Sequence, residues 1–521
     1  MATGQRRLYP YGRQTFSNVI EEGLVYVDKT EYVYKLVNEG PPYVFLNRPR
    51  GFGKTLFTST LYSYFEGKRE LFKGLAIEKL EKDWTVWPIL YFNTSWGVFG
   101  SEEELEDRLR YELTKNAVRF GIDDLREGGG TGLMELIYQV RKKTGQRVVV
   151  LIDGYDKPLI DFEIAQEVRD KLKRILMNFY VPLKSYGEHI HFIFMSGMTR
   201  LALADIFGGL NNMYNISMHR KYAGAFGITT EELEGQLSPD VDILAQKLGV
   251  TRAETLRLLN AYYGGYHFTW PSPDVLDPYG LLAAFDRGAI SPYRTGAVTP
   301  TYILDIIREN GIMIEDFYGE HDSSSIDAPA ERISDATPFF YQSGTTTIRG
   351  CERDIFPLYT IGLPNMEVRV NLSERIFDNY VERSWEVMQD VNDAYDLIYD
   401  GDTEGAMKRL QESVGGVTYR YDTREKKNVV QLLYIIFMLW GSNDGVEPFY
   451  SYGMSVVVLK TKNNTFCQIG LNPEQAHPLL DEKELEAYLV PYAATGLPMV
   501  KVTVNTDTEK QTITGWQTES A

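Results

Sequence analysis

The segment Asn47-Arg-Pro-Arg-Gly-Phe-Gly-Lys-Thr55 contains the residue types that bind phosphate groups in proteins. It follows a short apolar run, Tyr43-Val-Phe-Leu46, and precedes a helical pattern that extends to about Phe65. In a strand–loop–helix unit, backbone N–H groups of the loop and of the helix N-terminus point at the anion. Lys54 would then neutralise the β- and γ-phosphates, and the Thr55 hydroxyl would reach Mg²⁺. The segment therefore predicts a Walker A loop.

The loop departs from the full pattern at one position. Glycine is expected five residues before Gly53, and this chain has Arg48 there. On this segment alone, a Gly-Lys-Thr that falls in a turn by chance is the alternative. The predicted nucleotide-binding residues are those that follow Pro49, namely Arg50, Gly51, Phe52, Gly53, Lys54 and Thr55.

A second acidic motif supports the nucleotide site. The apolar, β-branched run from Val148 ends in Asp153, as a strand buried on both faces does when it delivers a Walker B carboxylate. Asp153 would hold Mg²⁺ through water, so the predicted metal-binding pair is Thr55 and Asp153. A buried strand that ends in Asp is common by itself. Here this strand supports the predicted nucleotide site, because it follows the strand–loop–helix unit in the order that a P-loop site requires.

The elements that must position these residues alternate along the N-terminal half. Strands are predicted at 43–46, 88–93, 147–153 and 189–195, with helical patterns of suitable length between them. Such alternation indicates βαβ units and a parallel sheet. Helices are predicted to dominate residues 230–263 and 374–414. The polar stretch 319–335 is the best loop or linker candidate. The last 75 or so residues are predicted to form mainly strands.

Composition narrows the class of protein. The 521 residues are 43% hydrophobic and 24% charged, which is ordinary for a globular protein and allows several domains. Lys and Arg number 54 and Asp and Glu number 72, so the formal charge of −18 argues against general nucleic-acid binding. Two cysteines exclude a disulfide framework. Without an apolar signal core or a run of ~18 apolar residues, a cytoplasmic protein without membrane spans is expected.

Six ordered motifs resemble the AAA-ATPase-like family of largely bacterial proteins. The resemblance is strong over about residues 8–230 and looser beyond. It implies ATP binding with Mg²⁺ and, usually, a C-terminal nuclease-like domain of the PD-(D/E)XK type. The motifs are Tyr26-Val-Asp-Lys-Thr30, Arg48-Pro-Arg-Gly-Phe-Gly-Lys-Thr55, Ile152-Asp-Gly-Tyr-Asp-Lys-Pro158, Ser196-Gly-Met-Thr199, Ile206-Phe-Gly-Gly-Leu-Asn-Asn212 and Tyr222-Ala223.

The chain lacks a carboxylate where the family has its general base. Family members usually have Glu at the position of Gly154, and glycine cannot polarise the attacking water. Asp156 is the candidate replacement, with a structural salt bridge or loop cap as the alternative. Ser196 and Thr199 are candidate γ-phosphate sensors. Arg200 is a candidate arginine finger, against the alternative of a solvated or carboxylate-paired arginine.

The positions where the resemblance implies nuclease residues also lack the side chains that catalysis needs. The first acid falls on Val456 or Ser455, the second on Gln468 and the lysine on Gly470. Without these groups no hard-ligand metal site remains. Migration of Glu447 or Asp444 into the site is the minor alternative.

Together these observations predict an α/β protein with three regions. Residues 1–225 form a P-loop, parallel-sheet, AAA-ATPase-like domain, residues 226–375 a helical or mixed middle region, and residues 376–521 a degenerate nuclease-like domain. The expected function is ATP binding that controls conformation or assembly, with weak or absent hydrolysis. An active ATPase coupled to nucleic-acid processing or defence, and a structural protein without nucleotide, are the alternatives. A protein partner and self-association are both left open.

Overall fold

The computed structural model describes most of the chain, and that part divides into two compact units. Unit 1 comprises Met1–Asn260, Gly264–Ala289 and Asp322–Leu358, and unit 2 comprises Ala261–Tyr263, Ile290–His321 and Tyr359–Ala521. The three predicted domains, bounded at 225 and 375, stay a prediction. The motif at 206–212 and the Asp444 side chain lie outside the described residues. Described are residues 7–97, 99–123, 125, 128–160, 164–200, 213–294, 301–330, 336–353, 356–422, 428–451, 454–471 and 482–520.

Unit 1 contains the predicted parallel sheet. Its strand order is β2-β3-β4-β1-β5, and every neighbouring pair is parallel. The strand β3 is buried along its whole length, as its continuous apolar run requires. The carboxyl ends of all five strands therefore meet at one edge of the sheet. The strands are β1 (Tyr43–Asn47), β2 (Ile89–Asn93), β3 (Val148–Asp153), β4 (Ile190–Gly197) and β5 (Tyr214–Asn215).

Helices separate the strands of this sheet, and local signals fix their ends. Ser101 accepts a hydrogen bond from the Glu104 N–H and so caps the helix Glu102–Arg119. Gly145, with φ of 74°, ends the helix Gly129–Thr144 in the left-handed conformation. Apolar side chains of both helices join the core that covers the sheet. The helices up to β4 are Phe16–Glu21, Thr30–Glu39, Lys54–Phe65, Ala76–Leu80, Glu102–Arg119, Gly129–Thr144, Gln166–Tyr180 and Pro182–Ser185.

The rest of unit 1 is mainly helical. A small antiparallel pair, β6 (Ile228–Thr229) and β7 (Val275–Leu276), accompanies these helices. They are Thr230–Gly235, Ser238–Leu248, Arg252–Tyr263 (whose last three residues belong to unit 2), Pro278–Arg287, Ser323–Ile326 and Thr337–Ser343.

The polar stretch 319–335 is more regular than predicted. It begins with β8 (Gly319–Asp322), and Asp322 then accepts a hydrogen bond from the Ser325 N–H to cap the short helix Ser323–Ile326. Ile326 anchors that helix by burying its side chain completely. The strands β9 (Thr347–Cys351) and β10 (Leu358–Gly362) follow.

Unit 2 combines helices with a second five-stranded sheet. Its strands are in chain order, and neighbours are antiparallel except for β13 and β14, which are parallel and joined through the helix Glu482–Ala493. The strands are β11 (Phe449–Ser451), β12 (Met454–Lys460), β13 (Phe466–Leu471), β14 (Met499–Asp507) and β15 (Thr512–Ser520). The other helices are Thr301–Asn310, Met366–Tyr380, Ser384–Asp400, Thr403–Gly415 and Asn428–Asp444.

None of the helices within the described ranges is long and apolar enough to cross a membrane.

Candidate functional site

The predicted phosphate loop connects β1 to the helix Lys54–Phe65. Gly51 and Gly53 both have left-handed backbones, with φ of 84° and 88°. A side chain at Gly53 would meet nothing within 4 Å, so it is the backbone conformation that favours glycine there. The helix starts directly after Gly53, and the unpaired N–H groups of its first turn lie at the loop. These N–H groups can therefore bind an anion.

Lys54 lies inside this loop. Its Nζ donates hydrogen bonds to the carbonyl oxygens of Arg48, at 2.8 Å, and of Pro49, at 2.9 Å. The ammonium group is therefore held at the mouth of the loop, next to the helix N-terminus. Both contribute positive potential to the same place.

Of the other loop residues, Phe52 is buried and Arg50 is exposed. The Phe52 ring packs edge-to-face against Tyr266, with centroids 4.8 Å apart, and against Phe268, at 5.4 Å. Tyr266 and Phe268 thus supply packing for the phosphate loop. Phe52 fixes the loop through its side chain and leaves its backbone for a ligand.

The structure brings Asp153, Thr55 and Ser196 together. Asp153 ends β3 and is 1% exposed, and its Oδ1 accepts a hydrogen bond from the Ser196 hydroxyl at 3.0 Å. Burial raises the pKa of Asp153, whereas Thr55, Lys54 and Ser196 favour its charged form. Its Oδ2 has no hydrogen-bond partner among the described residues. A buried carboxylate oxygen without a partner, beside a hydroxyl and an ammonium group, fits a Mg²⁺ ligand or a ligand of its water shell.

Asp156 makes the contacts of a loop cap. Its Oδ2 accepts hydrogen bonds from the Met198 N–H at 2.9 Å, the Thr199 N–H at 2.7 Å and the Thr199 hydroxyl at 2.9 Å. The carboxyl is 1% exposed, and burial raises its pKa while the Thr199 bonds and the Lys54 charge oppose that rise. Asp156 and Thr199 are thus bound to each other. These contacts are the ones that the loop-cap alternative requires, and the catalytic role of either residue stays a prediction.

Arg200 is paired with a carboxylate. Its Nη1 lies 2.6 Å from both the backbone oxygen and Oδ2 of Asp327, and its N–H donates to Gln342 Oε1 at 2.6 Å. This is the paired alternative to the arginine-finger hypothesis. No sequence pattern pointed to Asp327, because it lies 127 residues away from Arg200 along the chain.

The backbone leaves no space for a side chain at Gly154. Its φ is 73°, and a Cβ atom would lie 2.6 Å from both Cα and Cβ of Ser95. The neighbouring strands enclose it further, because its N–H donates to the Ser196 oxygen and its oxygen accepts from the Thr94 hydroxyl. The loss of glutamate at this position is therefore built into the local backbone.

A cavity that no sequence pattern predicted lies next to the phosphate loop. It has a volume of about 100 Å³, and its mostly apolar wall includes Gly53 of the loop. Lys29 lines the cavity, and its ammonium group is held by the Gly224 oxygen and Glu232. The resemblance did point to the Asp28-Lys29 motif without giving it a role. Other lining residues are Val25, Val27, Phe52, Leu56, Phe57, Ile228 and Leu282.

Asp28 of the same motif has a structural role. Its Oδ1 accepts hydrogen bonds from the N–H and the hydroxyl of Thr30, and its Oδ2 accepts one from the Ala76 N–H at 2.7 Å. These bonds satisfy N–H groups at the starts of two helices. Asp28 thereby places Lys29 in the cavity wall.

Two comparisons with known proteins found similarity to this chain. A curated protein from Azotobacter chroococcum mcd 1, titled an uncharacterized protein in the vnfD 5′ region, is 29% identical over 533 residues, covering 99% of each chain. Its title gives no activity. The model of the AAA-ATPase-like family, described as a predicted AAA-ATPase, matches residues 10–207. That span contains the phosphate loop, Asp153 and the end of β4, so this part of the chain is similar to a predicted AAA-ATPase.

Proposed function

We propose that unit 1 binds MgATP at the carboxyl edge of its parallel sheet and hydrolyses it slowly or not at all. The observation that carries this proposal is the convergence of Lys54, Thr55 and Asp153 there, with one buried oxygen of Asp153 lacking a described partner. In open α/β sheets, ligands bind outside the carboxyl ends of the strands.

Each part of the nucleotide has a matching surface. The phosphates lie against the loop and the start of the helix Lys54–Phe65, and the base enters the apolar cavity that shares Gly53 with the loop. Thr55 and Asp153 hold Mg²⁺, which supplies charge neutralisation for the β- and γ-phosphates when bound.

Slow hydrolysis follows from the residues around the γ-phosphate side of the site. Gly154 carries no base, the described hydrogen bonds of Asp156 hold the 198–199 loop, and Arg200 is paired with Asp327. A water molecule therefore lacks a positioned carboxylate to polarise it, and general base catalysis contributes typically 10²–10⁴-fold to such reactions.

Nucleotide binding then serves to control conformation or assembly. Arg200 and Gln342 connect the end of β4 to residues 322–343, and the chain of that segment continues into unit 2 after Leu358. A change at the end of β4 on nucleotide binding therefore reaches a segment that is covalently continuous with unit 2.

Thermal unfolding and steady-state turnover of the full chain test this proposal together. At a ligand concentration of ~100 times Kd, MgATP should add about 2.7 kcal/mol to the free energy of unfolding. Turnover should stay well below about 1 s⁻¹, the low end of the usual enzymatic range. Absence of any shift with MgATP or MgADP would favour a structural protein, and brisk turnover would favour an active ATPase.

For unit 2 we infer a binding or structural module without nuclease chemistry. The candidate acid and lysine positions lie on adjacent antiparallel strands, where Val456 pairs with Gly470 and Val458 pairs with Gln468. They therefore share one face of the sheet, and Val456 and Gln468 are 0% and 6% exposed. No group of three His, Cys, Asp or Glu side chains that could hold a metal ion occurs in the described part of the chain. Glu447, the alternative acid, is paired with Arg369 at 2.7 Å.

We expect no cleavage of plasmid or single-stranded DNA by the purified protein with Mg²⁺ or Mn²⁺. The reason is that no carboxylate is available at the positions where metal-dependent hydrolysis needs one. Agarose-gel and fluorescent-oligonucleotide assays measure this, with the variant Glu447→Gln as the matched control. Cleavage by the wild type that is lost in Glu447→Gln would show that this acid has taken over the missing role.

A further inference from the structure

Arg48 occupies the position where the full phosphate-loop pattern has glycine, and its side chain is buried. Only 2% of it is exposed. The guanidinium carbon lies 4.1 Å from the centre of the Phe268 ring and 5.8 Å from that of Phe226. An arginine at this position therefore has a defined place inside unit 1 instead of extending into solvent.

The guanidinium group is held by neutral acceptors only. Its Nη1 donates to the backbone oxygens of Asn47, at 3.0 Å, and Ser217, at 2.6 Å. Its Nε and Nη2 have no hydrogen-bond partner within the described ranges, and none of the ion pairs found there includes Arg48. Asp327 lines the same small cavity as Arg48 but forms its ion pair with Arg200. Burial lowers the pKa of Arg48 to about 10, which leaves it charged at neutral pH.

A buried cation without a counter-charge destabilises a protein on its own. Arg48 is also part of the phosphate loop: its carbonyl oxygen accepts the Lys54 hydrogen bond, and its N–H donates to the Gly197 oxygen at 3.1 Å. Its charge is fixed at the base of the loop, where desolvation makes electrostatic interactions stronger than in water. Because no ion pair to Arg48 occurs among the described residues, the ligand would then supply the counter-charge.

We propose that Arg48 is a positioning residue whose buried charge, which forms no ion pair within the described ranges, is neutralised by the phosphates of the bound nucleotide. This inference rests on the proposed nucleotide site. It extends that site to a second cation, which acts through the electrostatic potential of the loop and not by direct contact. It also explains why arginine at the glycine position is compatible with phosphate binding.

The variant Arg48→Met tests this, because methionine keeps an unbranched apolar chain beside Phe268 and removes the charge. The ligand-free protein should unfold at the same or a higher temperature than the wild type. Affinity, measured by isothermal titration, should fall about tenfold for MgATP, less for ADP and least for AMP, since the lost attraction scales with phosphate charge. Arg48→Lys, which keeps the charge, should retain most of the difference in affinity between ATP and AMP.

The matched control is Arg369→Met in unit 2. Arg369 is also a buried arginine, 5% exposed, but it is paired with Glu447. Its loss should lower the unfolding temperature and leave the affinities for all three nucleotides unchanged. The contrary result is that Arg48→Met lowers the stability of the ligand-free protein as the control does and weakens the binding of ATP and AMP equally. In that case Arg48 is only a structural residue. Failure of the wild type to bind any of the three nucleotides would contradict the proposed function and this inference with it. Wild-type binding of all three nucleotides that Arg48→Met leaves unchanged would contradict this inference alone.

Discussion

The variant Lys54→Ala should lose at least about a hundredfold in affinity for MgATP, and its thermal shift with MgATP should disappear. Lys54 supplies the one side-chain ammonium group seen to bond inside the described phosphate loop, where it lies 2.8 Å and 2.9 Å from two loop carbonyls. Hydrogen bonds to charged groups contribute roughly 1.5–3 kcal/mol each. Loss of two of them on the phosphates, about 3–6 kcal/mol, therefore corresponds to about two to four orders of magnitude in Kd, since each 1.4 kcal/mol is about tenfold.

Two further variants make this result specific. Lys82→Ala removes a lysine whose Nζ bonds only to the Lys79 oxygen on an exposed surface, and its MgATP affinity should equal that of the wild type. Lys54→Arg keeps the charge but replaces a compact ammonium group by a planar fork, so it should restore little of the binding. Circular dichroism melting of each ligand-free variant checks that it is folded. A wild-type thermal shift in folded Lys54→Ala would mean that nucleotide binds elsewhere.

The sequence was informative wherever the signal is local. Apolar runs predicted β1 to β4 within a residue or two, and the helical pattern that extends to about Phe65 agrees with the helix Lys54–Phe65. The two-residue strand β5 and the partly exposed strand β15 lack a continuous apolar pattern, so periodicity could not identify them.

The contacts of the site were less predictable, because they join residues far apart along the chain. Asp327 pairs with Arg200 across 127 residues, and Lys29 contacts Glu232 across 203. No spacing rule links such pairs. The roles of Asp156 and Arg200 could be written as alternatives from the sequence, but only the fold shows which hydrogen bonds each residue has formed.

At position 154 the sequence and the structure each supply part of the explanation. The resemblance implies glutamate at the position of Gly154, and the structure shows why a side chain does not fit there. A residue with a side chain in the left-handed region costs roughly 1–2 kcal/mol. At Gly154 the Cβ would also lie 2.6 Å from the Ser95 Cα and 2.8 Å from its backbone nitrogen, and these backbone atoms cannot rotate away as a side chain could.

We therefore expect Gly154→Glu to lower the free energy of unfolding by about 2–4 kcal/mol and to leave ATP turnover as slow as in the wild type. The strain displaces β3 from the Ser95 loop, so the new carboxylate does not reach the geometry that a general base needs. Chemical denaturation and a steady-state phosphate-release assay measure the two effects.

Two alanine variants separate backbone strain from the Ser95 contact. Gly145 has nearly the same φ, 74° against 73°, and a Cβ there would meet nothing within 4 Å. Gly145→Ala thus reports the cost of the left-handed backbone alone, and Gly154→Ala should be the more destabilising of the two because it adds the collision with Ser95. Equal losses in the two alanine variants would remove the steric argument. If Gly154→Glu instead keeps wild-type stability and gains turnover that Lys54→Ala abolishes, the site needs only this one carboxylate to become an ATPase.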